Sequence, residues 1–315
     1  MTTKRGAASA PGLPVVGVYD GVRPHVPRQT VREAAALAAE LRADGLVGLG
    51  GGSAVDTCKA VVAEQVREPD LATVCCKVLA VPTTYAGAEW TPFFGVLVRA
   101  GTKGSGAEER ARPVGAIYDP VLTLGLPLED SVGTAMNALA HCAEAFYVPQ
   151  RSSRGDRHAT CGATAIAYAL PLVAAEPDSL YARTRLLEGA LRAALALGET
   201  GLAFGHALAQ ALGGRYGLPQ GQMNAICLPA ALRFNEQVAP EALAALAAAL
   251  GTDDAPATVE RLAALGGFPL RLRDWGVPEA ELRQVAAAVV ARPGTRANPR
   301  PVSEADADSV LREVW

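Results

Sequence analysis

The side chains in this sequence best suited to chemistry are two histidines, each with an amide one helical turn away. Asn137 and His141 are four apart in MNALAHCAEAFY, and His206 and Gln210 are four apart in FGHALAQALGG, so each pair shares a helix face. Gln220 follows in LPQGQMNA, after a GG and an LP turn. Helices that aim several such side chains at one point are how bundle cores build sites. An imidazole can move a proton near neutral pH, whereas an amide can hydrogen-bond a carbonyl but cannot relay a proton. A lone histidine on an apolar helix is commonly a satisfied core residue. Two histidines with the same amide spacing point instead to a shared site, with His206 and His141 catalytic and Asn137, Gln210 and Gln220 holding the substrate.

A second group lies near the N-terminus. Gly50-Gly51-Gly52-Ser53 ends the apolar run GLVGLG and opens a helical run. The first N–H groups of a helix have no partner within it, its dipole favours an anion there, and glycine lets a phosphate approach the backbone. Asp56 and Lys59 lie one turn further on, and their alternative reading is a solvated pair on the helix surface. The turn is neither a GK[ST] phosphate loop nor the six-residue dinucleotide fingerprint. Pro82-Thr83-Thr84 follows the next apolar run, and in a parallel sheet both loops emerge at the carboxyl edge, where such folds bind ligands. Tyr85, Trp90, Phe93 and Phe94 come next, as pocket lining or as ordinary core. Arg215, after two glycines, could face a substrate carboxylate.

The elements that must position these groups divide in two. Residues 13–127 alternate between strand and helix: LPVVGVYD (13–20) as a buried strand, a helix over 29–42, strands at 45–50 and 77–82, and a strand pair from FFGVLVRA and VGAIYD around the loop GTKGSGAEERARP. That alternation predicts a doubly wound parallel sheet. From Leu128 onward helix follows helix, over 128–147, 155–176, 179–198, 200–213, 222–236, 239–250, 255–265, 278–291 and 303–313. The expected organisation is an α/β domain over 1–127 and an all-α domain over 128–315.

The bulk properties exclude several classes. A net charge of −3 gives no electrostatic case for nucleic acid or for an anionic membrane. No apolar run reads as a bilayer span of about 20 residues. Met1 to Pro14 lacks the apolar core of a signal peptide and reads as a disordered lead-in. The six cysteines form no CxxC pair and read as free thiols of a cytoplasmic protein.

GGGSAVDTCKA, VPTTYAGAEWTP, YDPVLTLGLP, MNALAHCAEAFY, the GHALAQALGG and LPQGQMNA block and the tail ANPRPVSEADADSVLREVW together resemble the iron-containing alcohol dehydrogenase superfamily. HVP at 25–27 and the AGAE turn resemble its maleylacetate reductase branch. The resemblance, from about residue 13 to the end, implies a dinucleotide-binding domain, an all-helical domain and a cleft between them. It implies that Gly51, Gly52 and Ser53, with Asp56 nearby, bind the pyrophosphate of NAD(P)H, and that Thr83 and Thr84 lie near the nicotinamide.

The sequence departs from that pattern in two ways. Metal-using members take one aspartate and three histidines as ligands, and the matching positions are Asn137, His141, His206 and Gln220. Two imidazoles and two neutral amides make a poor site for iron or zinc, so no metal is expected. Gln210 also stands where the family places a histidine near the reacting carbonyl. Relatives further open with a strand–helix–strand piece that this sequence lacks, including the acidic group expected on the adenine ribose. A sheet without that piece must re-pair its strands or borrow one from a partner, which predicts a homodimer. The leading expectation is a metal-independent, NAD(P)H-dependent reductase of a small keto or enone acid. The alternative is a cofactor-free member that uses a histidine as general base in a dehydration, isomerisation or cyclisation.

Overall fold

The helix that opens at Gly52 is held by the strand before it and the strand after it. The computed structural model describes residues 1–8, 15–67, 76–99 and 102–315, and their contacts separate into two units. The first comprises Met1–Thr84 and Ala88–Thr123, the second Tyr85–Gly87 and Leu124–Trp315.

In the first unit the order is α1 (Lys4–Ala8), α2 (Arg28–Glu40), β1 (Gly45–Gly50), α3 (Gly52–Arg67), β2 (Lys77–Pro82), β3 (Phe93–Arg99), β4 (Thr102–Ala107) and β5 (Gly115–Ala116). β1, β2 and β5 form a parallel sheet in that order, with Gly45 opposite Lys77 and Gly50 opposite Pro82. Val78 and Ala80 are buried, as expected of short apolar strands covered by helices. α3 buries Val55, Cys58, Val61 and Val62, and α2 buries Val31 and Ala34.

Four expectations for this unit need correcting. Residues 15–20 are not a strand: Val15, Val16 and Val18 are exposed, so the apolar run has no sheet to enter, while Leu13 and Pro14 lie outside the described residues. The lead-in is ordered over 1–8. The Met1 ammonium donates to Val47 O at 2.6 Å and Leu49 N donates to Met1 O at 3.1 Å, along the outer edge of β1. The expected loop after β3 contains β4, which pairs with it antiparallel, Phe93 opposite Ala107. VGAIYD instead supplies β5, which joins the parallel sheet through Leu79 and Gly115.

The second unit is helical: α4 (Leu128–Ala145), α5 (Ser153–Ala175), α6 (Leu180–Thr200), α7 (Phe204–Tyr216), α8 (Gln220–Asn235), α9 (Pro240–Leu250), α10 (Ala255–Ala264), α11 (Leu282–Val290), α12 (Pro293–Arg296) and α13 (Glu304–Glu313). Several starts are set by side-chain caps. Ser152, Ser179 and Asp254 accept from backbone N–H groups three residues on, and Ser303 forms a reciprocal capping box with Asp306. α4 is buried from Val132 to Ala145 on nearly every face, which makes it the central helix, with α5, α6 and α8 against it. α5 is long and apolar enough by composition to cross a membrane, contrary to the sequence reading, and here it packs along α4 and α6. Phe204, Leu208, Leu212, Met223, Leu282, Val285 and Leu311 join α7, α8, α11 and α13 in one core. The five described cysteines are free thiols; four are buried and Cys161 is exposed.

Candidate active site

The central helix α4 carries Asn137, His141 and Glu144 at intervals of four and three, a single stripe along its face. α7 brings His206 against that stripe, and α8 brings Asn224 to it and opens at Gln220. All five groups other than Gln220 are buried, His141 and His206 to within a few per cent of full burial. The two imidazoles stack, with ring centroids 4.7 Å apart and planes 15° from parallel.

Their protons are fixed by what surrounds them. Glu144 Oε2 lies 2.8 Å from His206 Nδ1 and also accepts from Ala203 N at 2.6 Å, while Oε1 accepts from His206 N at 3.0 Å. An ionised carboxylate only accepts, so His206 carries its proton on Nδ1 and turns Nε2 inward, where it has no partner. Asn137 is oriented by two contacts: its Oδ1 accepts from Asn224 Nδ2 at 2.6 Å, and its Nδ2 donates to Ala86 O at 2.8 Å. The same Nδ2 lies 3.3 Å from His141 Nε2, which must therefore accept. The proton of neutral His141 is then on Nδ1, also buried without a partner. The neighbouring backbone is Gly87, whose φ of +80° favours glycine, and a Cβ there would stand 3.4 Å from His141 Nδ1. Burial pushes the His141 pKa well below the usual histidine value, and the His206 ring adds to the effect. His141 is thus a neutral N–H donor stacked on a ring whose Nε2 presents a lone pair.

The amides do not behave as one set. Both polar atoms of the Gln220 amide are buried and unpartnered. Gln210 does not meet Gln220. Its Oε1 accepts from Arg292 Nη1 at 3.3 Å and its backbone O from Arg292 Nη2 at 3.0 Å.

Three other expected ligand residues are committed elsewhere. Arg215 is exposed, and its guanidinium donates to Glu281 Oε2 at 2.7 Å and Gln284 Oε1 at 2.6 Å, which corrects its assignment to a substrate carboxylate. Tyr85 is fully buried, with its hydroxyl bonded by Arg183 Nη1 at 3.1 Å, so it is core rather than pocket lining. Trp90 donates from Nε1 to Tyr118 Oη at 2.7 Å, and Tyr118 in turn donates to the buried Glu89. Phe93 is 42 % exposed, whereas Phe94 is buried in the core of the first unit.

In the first unit Gly51, Gly52 and Ser53 stand at the β1–α3 turn, as the spacing requires. A Cβ on Gly51 would meet Thr84 Cγ2 at 3.0 Å and Oγ1 at 3.2 Å, so the bare glycine is what brings the two loops together. No acidic side chain occupies the first turn of α3, which leaves its N–H groups suited to a phosphate. Asp56 does not point there as a free anion: its Oδ2 accepts from Gly95 N at 3.1 Å. Lys59 is not the solvated partner its position suggests. Its ammonium is fully buried 3.6 Å from Asp56 Oδ1 and donates to Phe93 O at 2.8 Å and to Ala88 O, tying α3 to the segment that follows Gly87.

Sequence reasoning missed Glu144, Asn224 and Arg292. The first two carried a usable signal, since Glu144 is seven residues after Asn137 and Asn224 is four after Gln220, each on the stripe already identified.

One unit thus presents a glycine-opened helix N-terminus suited to a phosphate, and the other is built around a buried histidine pair. Residues 3–120 match the iron-containing alcohol dehydrogenase family model, and residues 131–315 match the C-terminal model of the Fe-containing alcohol dehydrogenase family. The maleylacetate reductase of Pseudomonas knackmussii is 37 % identical over 306 residues, covering 96 % of this chain and 84 % of that protein. Two solved structures are similar: a putative alcohol dehydrogenase from Ralstonia eutropha JMP134 (38 % identity, TM-score 0.87) and maleylacetate reductase from Agrobacterium tumefaciens (33 %, TM-score 0.84). Each covers 95 % of this chain, which covers 82 % of each. The chain belongs to the iron-containing alcohol dehydrogenase superfamily, in its maleylacetate reductase branch.

The family name implies iron, and the residues present do not fit it. Among the described residues no three of His, Cys, Asp and Glu are grouped to hold a metal ion. Glu144 has both oxygens engaged by N–H donors, and the Asn137 carbonyl is taken by Asn224. The donors left are two imidazoles and the Gln220 amide, with no anion to balance a divalent cation.

Proposed function

We propose that this protein is a metal-independent reductase that uses NAD(P)H to reduce a small keto or enone acid. The observation that carries the reading is the Glu144–His206–His141 arrangement, two stacked imidazoles that leave one buried N–H and one buried lone pair unpartnered. Kinship to maleylacetate reductases at 37 % identity supports the reaction class. Gly51, Gly52 and Ser53, with Thr83 and Thr84, would hold the nucleotide, which supplies hydride when bound.

The chain's own side chains account for the rest. A carbonyl oxygen that gains negative charge accepts a hydrogen bond from His141 Nδ1–H. His206, when cationic, donates from both nitrogens, Nδ1 to Glu144 and Nε2 into the site, and the Nε2 proton passes to the alkoxide to give a hydroxyl. Glu144 steadies the ring in its charged form, as a carboxylate does behind a proton-transfer histidine. A divalent ion would do the same work by polarising the carbonyl. Here the neutral N–H and the imidazolium take its place.

The test is calorimetric titration of chelator-treated, metal-analysed protein with NADH and NADPH, followed by turnover of keto and enone acids in chelator. Saturable nucleotide binding and undiminished turnover are expected. No heat with either nucleotide would overturn the redox reading, while turnover that needs added iron or zinc would overturn metal independence alone.

A further inference from the structure

Arg292 stands at the end of α11, in the turn that leads into α12. The turn is pinned: Arg292 N donates to Val289 O at 3.0 Å, and the buried Thr295 hydroxyl donates to the same carbonyl at 2.6 Å. A Cβ on Gly294 would lie 2.8 Å from Ala203 O, so this turn runs against the start of α7, where Ala203 N also meets Glu144. The guanidinium reaches along α7 to Gln210, whose side-chain and backbone oxygens receive Nη1 and Nη2. Gln210 is one turn beyond His206 on the same face.

Among the described residues, Arg292 shares the lack of a carboxylate partner with the buried Arg183, but Arg183 Nε donates to Pro177 O, whereas Arg292 Nε is left unpaired. The arginines at 112, 151, 154, 185, 215, 233, 300 and 312 all lie within 4 Å of a carboxylate. Arg292 has no such partner among the described residues, its Nε is buried without a hydrogen-bond partner, and burial lowers its pKa from the usual arginine value. A partly desolvated guanidinium with an unpaired N–H is costly unless an acceptor completes it. Its planar fork suits a carboxylate, which it can bind in bidentate fashion.

We infer that Arg292, oriented by Gln210, is the carboxylate-binding subsite of this protein, one helical turn from the proton-transferring His206. The inference rests on the reductase reading only for the identity of the substrate, a keto or enone acid. It also supplies the cation that Arg215 cannot, since Arg215 is occupied by Glu281.

Binding can be read without turnover. Maleate and its neutral counterpart maleamide are titrated into the full-length protein by calorimetry, for the wild type and for Arg292→Gln and Gln210→Glu. Maleate should bind and maleamide should bind far more weakly. Arg292→Gln should weaken maleate roughly 30-fold, the loss expected for hydrogen bonds between charged groups, and leave maleamide unchanged. Gln210→Glu should abolish maleate binding by placing an internal carboxylate on the guanidinium, and should raise thermal stability, which separates blocking from misfolding. Equal maleate affinity in the wild type and both variants would overturn the assignment. If NADH and NADPH fail to bind while maleate binding still depends on Arg292, the reductase reading fails and the subsite stands.

Discussion

Replacing Glu144 with glutamine tests the proposed proton path most directly. The carboxylate is fully buried and accepts three N–H groups, from Ala203 N and His206 Nδ1 on Oε2 and from His206 N on Oε1. A glutamine has one acceptor oxygen. If that oxygen takes the Oε2 position, the NH2 group faces His206 N, donor against donor. If it takes the other, two donors are orphaned. The first arrangement costs less, about 1.5–3 kcal/mol for the lost charge-assisted bond and the unmet donor. It preserves the Nδ1–H tautomer but removes the negative charge behind the ring. The imidazolium formed in proton transfer then loses a comparable stabilisation, and kcat should fall about 10²-fold, within the range that a positioned acid–base group supplies. The assay follows nicotinamide absorbance with a keto-acid substrate across pH, beside thermal melts of the same samples. The expected result is a large fall in kcat with an altered pH profile and little change in nucleotide affinity. A variant with lowered melting temperature but wild-type kcat and pH profile would refute the reasoning, and would leave Glu144 as a buried N-terminal anchor for α7.

Three further outcomes follow from the site's geometry and electrostatics. Asn137→Asp combined with Gln220→His gives one carboxylate and three imidazoles, and should raise zinc or iron retention to one ion per chain, above that of the wild type; metal analysis of both proteins after chelation decides this. Gly51→Ala places a Cβ 3.0 Å from Thr84 Cγ2. It should weaken nucleotide binding about 10-fold with a stability cost of about 1 kcal/mol, and Thr84→Ala added to it should recover the stability. The pKa of His141 is depressed in the fold, so below about pH 6.5 the unfolded chain binds a proton that the folded chain does not. Its contribution to stability is fully present above that pH and is lost as pH falls toward the folded value, by up to about 1.4 kcal/mol per unit. Urea denaturation over that window should show a shallower pH dependence for His141→Gln than for the wild type; equal slopes would contradict the depressed value.

The two halves of the chain differ in how much their sequences disclose. The helices of the second unit were legible because apolar residues recur at helical spacing and serine or aspartate marks several starts. α4, expected over 128–147, spans Leu128–Ala145, and α13, expected over 303–313, spans Glu304–Glu313. The first unit was harder. TKGSGA has one β-branched residue, Thr102, and no aromatic, yet β4 forms because β3 offers it an antiparallel edge. VVGVYD has that content and forms no strand, because propensity without a partner does not make a sheet. The same limit applies at the site. Asn137, His141 and Glu144 can be read along one helix, whereas Arg292 meets Gln210 across 82 residues, a contact that no local pattern encodes.

The changes at 137 and 220 are coupled by charge. Asn137 is 8 % exposed and donates to Ala86 O at 2.8 Å, so a lone aspartate there would set a buried anion against a carbonyl oxygen. Removing the compensation from a buried charge costs about 3–5 kcal/mol, which only a cation at the histidines could offset. Once Gln220 no longer supplies an imidazole, a neutral residue at 137 is the less costly state, and Asn224 then locks the amide by donating to its oxygen at 2.6 Å. Asn137→Asp alone should therefore destabilise the fold strongly, Gln220→His alone should do little, and the pair with bound metal should regain the loss. That non-additive pattern would show that the residues at 137 and 220 act together through one shared charge.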